Sequence, residues 1–309
     1  IVAMLDDKQD FSENVHSAGL LIPESWKVAS KDEVRELNAK LLARKEIKKY
    51  ILKSIVYDAE HRRDLFLLPT TPDILDKYLS KITVALDHTW IVQQFISGKE
   101  YSSYSVVENG NILLHVFSES SISNLNWEHL EESYGVYKWV EQYAKSLGGT
   151  GQLCIDWIVE DGVAYPIECN PRCSSCITAF QTSPRVGDAL LRMALGARGG
   201  LNTDLPAPLF SLQGFVDQVS MNPLPKDNSF WVVDMFIRLI FSKSWGDFMK
   251  VLSQLATGRD AVFQPNDPLP FFMLNYYHIP ALLFCQMLSG NEWIKVDFCI
   301  GKIVQPGGD

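Results

Sequence analysis

Positive charge is scarce in this sequence. Its 309 residues include 28 Lys and Arg against 37 Asp and Glu, which gives a formal net charge of −9 at pH 7. Nucleic-acid-binding proteins are more often basic, so the charge balance argues against nucleic acid as a partner. The start shows neither a secretory signal pattern nor an initiator Met, and we therefore expect a cytoplasmic chain from which something before residue 1 is missing.

Cysteine is also sparse, and six cysteines in a chain of this length, without a secretory signal, do not predict a disulfide framework. Cys169, Cys173 and Cys176 are spaced closely enough to suggest zinc, but a structural zinc site needs four ligands and no fourth Cys or His lies near them. We expect free thiols that are buried in a reducing compartment. No Ser-His-Asp constellation is recognisable, so the sequence predicts no protein nucleophile.

Apolar residues are plentiful, at 47% of the chain, which is enough for one large domain or two to three smaller ones. The spacing of the apolar residues and the capping signals predict helices at 8–18, 30–41, 71–82, 127–147 and 183–196. Runs rich in β-branched and aromatic residues predict strands at 49–57 and within 90–120, where Asn109-Gly110 forms a hairpin turn.

The composition changes after a Pro-rich link at 201–210. Residues 230–288 are rich in Trp, Phe, Leu and Met, and Asp234 and Arg238 are four residues apart and can pair on a helix. The segment 270–288 is long and apolar. It also contains groups that would be costly in lipid, namely Asn275, His278, Pro280 and Gln286. We interpret this part as a buried helical extension, with a membrane-surface contact and a membrane span as alternatives.

The stretch CIDWIVEDGVAYPIECNPR, residues 154–172, places polar groups in two short apolar runs that flank Asp161-Gly162. In a strand, Glu168 and Asn170 point to the same face. A three-residue loop, 160–162, would bring Asp156 to that face, whereas a two-residue loop would send it to the opposite one. We expect the three-residue loop, because such loops commonly end with a residue in the left-handed region, where Gly162 falls.

Three oxygen ligands on one face, two of them anionic, suit Mg²⁺, with Mn²⁺ as an alternative. Magnesium binds few carboxylates and usually completes its shell with water and substrate phosphates. Asp156, Glu168 and Asn170 therefore indicate a nucleotide polyphosphate rather than a purely structural ion. Arg172, which lies one strand step beyond Asn170, could hold an anion that builds up during a reaction.

The pattern D-[FW]-x(n)-G-x-x-Y-x-[IL]-E-x-N-P-R in this stretch resembles the metal-binding hairpin of the ATP-grasp ligases. The resemblance implies an α+β ATP-grasp fold, in which two lobes clasp ATP, and makes Asp156, Glu168 and Asn170 the metal ligands. In LDDKQDF, Lys8 resembles the first phosphate-binding lysine. In YILKSI, Lys53 resembles the lysine that bridges the α and β phosphates.

The stretch VQQFISGKE resembles the hinge between the two lobes. This likeness implies that Gln93 lies at the adenine amino group, that the backbone of Ile96 faces the adenine edge, and that Glu100 reaches the ribose hydroxyls. The corresponding domains are a first lobe at 1–88, a second lobe with the metal-binding hairpin at 89–200, and a helical, aromatic-rich C-terminal extension at 201–309.

The chain departs from the family pattern at three points. No glycine occurs in VYDAEHRRDLFLLP, residues 56–69, where the family usually has a Gly-rich loop over the triphosphate. His61, Arg62 and Arg63 could cover the phosphates by charge instead, or they could form a solvated basic turn. Cys154 stands where some relatives carry Arg. The α/β domain that normally precedes the grasp lobes and helps to bind the second substrate is missing.

A narrower resemblance rests on MLDDKQDF, YILKSIVYDAEHRRDL, QQFISGKEYSSYS and IECNPRCSSCIT. These stretches resemble one branch of the family, the mycosporine-glycine synthases of the mycosporine-like amino acid pathway. The likeness implies that ATP activates 4-deoxygadusol, a cyclohexenone-type acceptor, and that glycine then attacks, with Lys53 and Arg172 as catalytic residues. A generic carboxylate–amine ligase acting through an acyl phosphate and a non-catalytic nucleotide-binding module are the alternatives. The sequence does not indicate an oligomeric state.

Overall fold

The computed structural model describes residues 1–45, 48–55, 61, 64–120, 126–130, 134–181, 185–196 and 228–289. By their contacts, these residues form two compact units. The first contains residues 1–100 and 155–171, and the second contains residues 101–154 and the described part of 172–304. The link predicted at 201–210 lies outside the described residues.

The first unit is built on a four-stranded antiparallel sheet with the strand order β1-β4-β2-β3. Its strands are β1 (Ser25–Val28), β2 (Tyr50–Ser54), β3 (Leu67–Leu68) and β4 (Trp90–Gln94). Its helices are α1 (Val2–Asp6), α2 (Lys8–Ser17), α3 (Lys31–Leu42) and α4 (Pro72–Leu79). Helices α3 and α4 pack on this sheet, and their side chains Val34, Leu75 and Leu79 share one buried cluster with Leu52 and Trp90 of the strands.

Local signals fix the helix ends that the sequence predicted in this unit. The side chain of Asp7 accepts hydrogen bonds from the backbone N–H groups of Gln9 and Asp10 at the start of α2, and Gly19, with φ of 71°, follows its end. Ser30 Oγ accepts from the Glu33 N–H at 3.2 Å, and Glu33 Oε2 accepts in return from the backbone N–H next to the cap. The predicted helices at 8–18 and 30–41 are confirmed.

A second four-stranded sheet has the order β6-β5-β7-β8. Its strands are β5 (Lys99–Glu108), β6 (Asn111–Glu119), β7 (Gly151–Glu160) and β8 (Val163–Asn170). The turn between β5 and β6 is Asn109-Gly110, as predicted, and both residues have positive φ. Together with the flanking helices, the two sheets confirm the predicted α+β class.

The second unit contains most of the remaining helices. These are α5 (Val136–Leu147), a 3₁₀ helix (Ser175–Phe180), α6 (Arg185–Gly196), α7 (Val232–Ile240), α8 (Trp245–Thr257), α9 (Leu269–Met273), a π-helical turn (Leu274–His278) and α10 (Ile279–Ser289). Two short strands, β9 (Ser229–Phe230) and β10 (Arg259–Asp260), pair in parallel. The residues 183 and 184, which the sequence offers as the start of α6, lie outside the described residues.

The helix predicted at 127–147 is wrong in its first part, because α5 begins only at Val136. Trp127 forms an isolated bridge with Ser229, and the N–H of Leu130 donates to the carbonyl of Phe117. Tyr134 and Gly135, with φ of 64° and 69°, adopt the left-handed region. A left-handed pair cannot continue a right-handed helix, so α5 begins only after Gly135, and the described residues 126–130 do not belong to it.

The described C-terminal residues 228–289 are mostly helical, as predicted, and Arg238 Nε lies 2.6 Å from Asp234 Oδ2 on α7, which confirms that pair. The interpretation of 270–288 as a buried segment is wrong. Of the described side chains in 269–288, only that of Ile279 is buried, and Tyr276 is 73% exposed. The apolar cluster between α7 and α8 is small, with Phe230, Met235 and Val251 as its buried members. It therefore offers little apolar surface against which the segment 270–288 could be buried. Among the described residues no helix has the length and apolarity needed to cross a membrane.

Candidate functional site

Three charged side chains from three elements of the first unit come together. Lys8 is the first residue of α2, Lys53 lies on β2, and Glu168 lies on β8, against which α1 and α2 pack. Lys8 Nζ is 3.7 Å from Glu168 Oε2, and the charge of Glu168 also acts on Lys53. The fold therefore brings the two lysines predicted to bind phosphate to a carboxylate predicted to bind metal.

Lys53 is the most strongly desolvated charge of this group. Burial lowers the pKa of its ammonium group, Glu168 acts in the opposite direction, and Lys8 adds to the lowering. The neighbouring carboxylates thus compensate only part of the cost of burying the Lys53 cation. A ligand that brings further negative charge would stabilise the protonated form, and this is the behaviour expected of a lysine that receives a phosphate group.

The pKa of Glu100 is raised, whereas that of Lys53 is lowered, and the charge of Glu168 acts on both groups. Although the residue as a whole is exposed, desolvation of its carboxyl group raises the pKa, the like charge of Glu168 raises it further, and Lys53 opposes both effects. Glu100 therefore lies within electrostatic range of Glu168 and Lys53. Its predicted contact with ribose hydroxyls stays a prediction.

The turn between β7 and β8 differs from the expected one. The strands end at Glu160 and begin again at Val163, so the loop has two residues and not three. Asp161 and Gly162 have φ of 50° and 80°, and two left-handed central residues are the type I′ pattern that fits the twist of a hairpin. The positive φ at Gly162 is confirmed, whereas the three-residue loop is wrong.

The polar side chains of the hairpin nevertheless meet. Asn170 Nδ2 lies 3.5 Å from Asp156 Oδ2, and both side chains are half-buried. Regular pairing from a two-residue loop would place Asp156 opposite Ile167, with its side chain on the other face from Asn170. The contact requires an offset of one residue in the pairing between the turn and Asp156, since an extra residue in one strand exchanges the faces beyond it.

The hinge segment lies directly against the end of this hairpin. Ser97 donates its backbone N–H to Glu160 Oε1 at 2.7 Å. A Cβ atom added to Gly98 would lie 2.0 Å from the carbonyl oxygen of Val159, so this position tolerates only glycine without movement of the backbone. Gly98 and Glu160 were missed by the sequence reasoning. The only signal for them was the glycine itself in FISGKE.

Gln93 and Ile96, predicted at the adenine, lie within the hinge segment. Gln93 lies on β4 between Ser25 and Ile51 and is 3% exposed, and its Nε2 donates to the carbonyl oxygen of Ile167 at 3.4 Å. The side chain of Ile96 is buried at 2% exposure. Both side chains are therefore buried within the first unit. Their roles toward adenine stay predictions.

Arg62 and Arg63 lie outside the described residues. His61 has its ring centroid 6.3 Å from that of Trp90. Arg172 belongs to the second unit, where its Nη1 donates to the carbonyl oxygen of Cys173 at 3.4 Å. Its predicted catalytic role stays a prediction.

The donor set of the hairpin is chemically suited to a hard divalent cation. Two carboxylates and one amide offer oxygen ligands, which Mg²⁺ prefers over nitrogen and sulfur. Within the described residues no group of three or more His, Cys, Asp or Glu side chains could hold a metal ion. A site here would therefore need the amide of Asn170 and oxygen atoms from water or substrate. Cys154, Cys169 and Cys176 are buried, as expected, whereas Cys173 and Cys285 are exposed.

Comparisons with known proteins give structural likenesses alone. No protein-family model matches the chain, and no curated protein sequence matches it. One similar structure is phosphoribosylamine–glycine ligase from Thermotoga maritima, at 15% identity and a TM-score of 0.47, covering 65% of this chain and 56% of that chain. Another is N5-carboxyaminoimidazole synthase from Aspergillus clavatus, in complex with ADP and 5-aminoimidazole ribonucleotide, at 14% identity and a TM-score of 0.47, covering 67% and 53%.

A third similar structure is the ATP-grasp ligase PsnB in complex with Mg, ADP and a variant of its minimal precursor. It shares 16% identity at a TM-score of 0.43, with 62% of this chain and 60% of that chain covered. The chain thus spans about half to three fifths of the length of these solved chains. With such identities and TM-scores below 0.5, these similarities say nothing of a shared activity.

Proposed function

We propose that the chain binds ATP with Mg²⁺ through its first unit and acts as an ATP-dependent C–N ligase of the ATP-grasp type. The observation that carries the proposal is the cluster of Lys8, Lys53 and Glu168, in which two lysines and one carboxylate from three separate elements converge. The ATP-grasp resemblance of the sequence assigns the same three residues to phosphate and metal. Geometry and motif therefore support one reading.

The residues fit distinct parts of Mg²⁺-ATP. Lys8 and Lys53 would neutralise phosphate charge, and Asp156, Glu168 and Asn170 would hold the ion. When bound, the ion neutralises charge on the triphosphate and fixes its position. Asn170 now directs its amide nitrogen toward Asp156, so its oxygen would have to turn inward to serve as a ligand.

The ligase step needs no nucleophile from the protein. An acceptor oxygen attacks the γ-phosphorus, the bond from that phosphorus to the bridging oxygen breaks, and ADP leaves. The amine then attacks the activated carbon, loses a proton and forms the C–N bond, while the C–O bond breaks and inorganic phosphate departs. Each lysine assists by balancing negative charge, which grows on ADP in the first step.

For the acceptor, we propose a carboxylate activated as an acyl phosphate. Motifs that bind ATP are common to carboxylate–amine ligases, so this reading needs the fewest assumptions about the second substrate. A narrower candidate is favoured by the stretches quoted above, which resemble the mycosporine-glycine synthases. In that case the activated group is the enolic oxygen of 4-deoxygadusol and the amine is glycine.

Binding and turnover test the two levels of the proposal separately. ADP with Mg²⁺ should raise the melting temperature of the full chain, since a ligand at 100 times its Kd stabilises the folded state by about 2.7 kcal/mol. Lys53→Met and Glu168→Gln should lose this shift. Lys40→Met and Glu36→Gln change exposed residues of α3 in the same unit and should keep it. No shift in the unmodified chain at millimolar nucleotide would refute nucleotide binding.

Release of ADP then distinguishes the acceptors. Stimulation by a carboxylic acid with an amine supports the acyl-phosphate reading, and stimulation by 4-deoxygadusol with glycine supports the narrower one. Nucleotide binding without ADP release under either condition would leave a binding module and exclude both ligase readings.

A further inference from the structure

The second unit contains a cavity that shares no residue with the candidate site. Its volume is about 690 Å³, and it lies between the end of β6, the segment 126–130 and the facing sides of α7 and α8. Pockets for small molecules commonly have volumes of about 300–1,000 Å³. The cavity is therefore large enough for a ligand of the size of a substituted aromatic ring.

The acidic side chains that line the cavity are already engaged. Asp234 accepts hydrogen bonds from Asn126 Nδ2 and from Arg238 Nε. Glu128 Oε2 accepts from the side-chain amide of Gln254 at 3.3 Å, and Asp247 Oδ2 accepts from Ser244 Oγ at 2.7 Å. The fourth acidic residue, Glu119, also has an interaction partner. Each of these carboxylates thus already has a partner within the protein.

The two lysines of the lining lack such partners. Lys243 and Lys250 both line the cavity and are exposed. Within the described parts of the chain, neither takes part in an ion pair or in a side-chain hydrogen bond. An ammonium group has three N–H donors, and its charge is best used by a carboxylate or a phosphate. Among the charged side chains of the lining, these two lysines are therefore the ones that have no partner in the described part of the chain.

An apolar wall faces the same space. Phe241 is 74% exposed and Ile237 is 48% exposed, and both line the cavity together with Met235 and Val251. Contact with an apolar ligand would remove these side chains from water, at about 25 cal/mol for each Å² that is covered. An inorganic anion could use the lysines but would leave this wall in water.

We propose that the cavity binds a small organic carboxylate with an apolar body, whose carboxylate lies at Lys243 and Lys250 and whose body packs on Phe241 and Ile237. A carboxylate fits better than a phosphate monoester. The lining also holds four carboxylates beside Arg238, Lys243 and Lys250, so it repels a doubly charged phosphate monoester more strongly than a singly charged carboxylate.

The first test uses 3-phenylpropionate as the probe and isothermal titration calorimetry of the full chain. The acid should bind saturably. Its neutral amide lacks the charge and acetate lacks the apolar body, so both should bind at least about tenfold more weakly. Equal affinity of the acid and the amide would overturn the proposal. So would the absence of saturable binding at concentrations of the acid up to about 10 mM.

Variants then locate the binding. Lys243→Gln and Lys250→Gln should each weaken binding by about tenfold, as expected for the loss of one charge-assisted hydrogen bond. Phe241→Ala should weaken the binding of the acid while leaving that of acetate unchanged. Lys138→Gln changes an exposed lysine of α5 in the same unit, outside the cavity, and should have no effect.

These surface substitutions should leave the unfolding transition unchanged, so loss of binding can be separated from loss of fold. Unaltered affinity in both lysine variants would refute the site. Binding to anionic vesicles without binding to the free acid would also refute it and would assign this face to a membrane surface.

Discussion

Replacement of Gly98 by alanine should disrupt the hinge segment. The added Cβ would lie 2.0 Å from the carbonyl oxygen of Val159 and 2.6 Å from its carbonyl carbon. Real Cβ contacts essentially never fall below 3.0 Å, so the backbone at Gly98 or at Val159 must move by about 1 Å. Both atoms belong to the backbone, and therefore no side-chain rotation can relieve the clash.

This movement would break a hydrogen bond between the hinge segment and the hairpin. The Ser97 N–H to Glu160 Oε1 hydrogen bond, now 2.7 Å long, joins the same two segments, and a separation of 1 Å would break it. Overpacking of this kind typically costs about 1–3 kcal/mol. In a chain of this size such a loss lowers the melting temperature by about 2–4 °C for each kcal/mol.

The assay compares Gly98→Ala with Gly151→Ala. Gly151 begins β7, the strand that contains Val159, and an added Cβ there meets nothing within 4 Å. Urea unfolding should show a loss of free energy of unfolding for Gly98→Ala and little change for Gly151→Ala. Because the hinge segment carries Ile96, nucleotide affinity should fall with Gly98→Ala as well. If both variants unfold at the same urea concentration as the unmodified chain, the close approach of Gly98 to Val159 is wrong.

Other predictions concern buried charge and its dependence on pH. Because burial lowers the pKa of Lys53, its protonated form destabilises the folded state at neutral pH, and this penalty fades as pH rises toward 10.5. Lys53→Met should therefore be at least as stable as the unmodified chain at pH 7, with the difference shrinking by pH 10, and urea unfolding that shows a clear loss at pH 7 would contradict the desolvation argument. Burial lowers the pKa of His115 from 6.5 to about 3, and its Nδ1 lies 2.8 Å from Ser105 Oγ. The unfolded chain binds the proton more readily, so stability should fall as pH drops from 6.5 toward 3. His115→Gln, which cannot titrate, should show a shallower acid loss between pH 7 and pH 4.5, and identical slopes for both proteins would refute the assignment.

Helix caps and tight turns could be predicted from the sequence because their causes are local. Ser30 with Glu33, and Asn109 with Gly110, act within a few residues of themselves, and the structure shows both as expected. The start of α5 after Tyr134-Gly135 was missed because the helical spacing of apolar residues continues unbroken across this pair. Apolar spacing alone does not distinguish a helix from an irregular segment that packs its side chains equally well.

In the hairpin, a correct contact was predicted from a wrong loop length. Parity of the side chains required a three-residue loop to bring Asp156 to the face of Asn170, and the structure reaches the same contact with a two-residue loop. Offsets in strand pairing leave no signature in a single sequence, since any residue type can be the extra one. The contact between Asp156 and Asn170 could therefore be predicted, whereas the path of the backbone that brings the two residues together could not.

The charges of the cluster are also arranged in a way that nucleotide binding can use. In the absence of a ligand, Glu168 interacts with Lys8 and compensates part of the cost of burying Lys53. A triphosphate would supply more negative charge to both lysines than one carboxylate does, and it would release Glu168 for a metal ion. The like charge that raises the pKa of Glu100 would then be neutralised by the same ion. The like-charge repulsions within this cluster are thus interactions that a bound Mg²⁺-nucleotide would relieve.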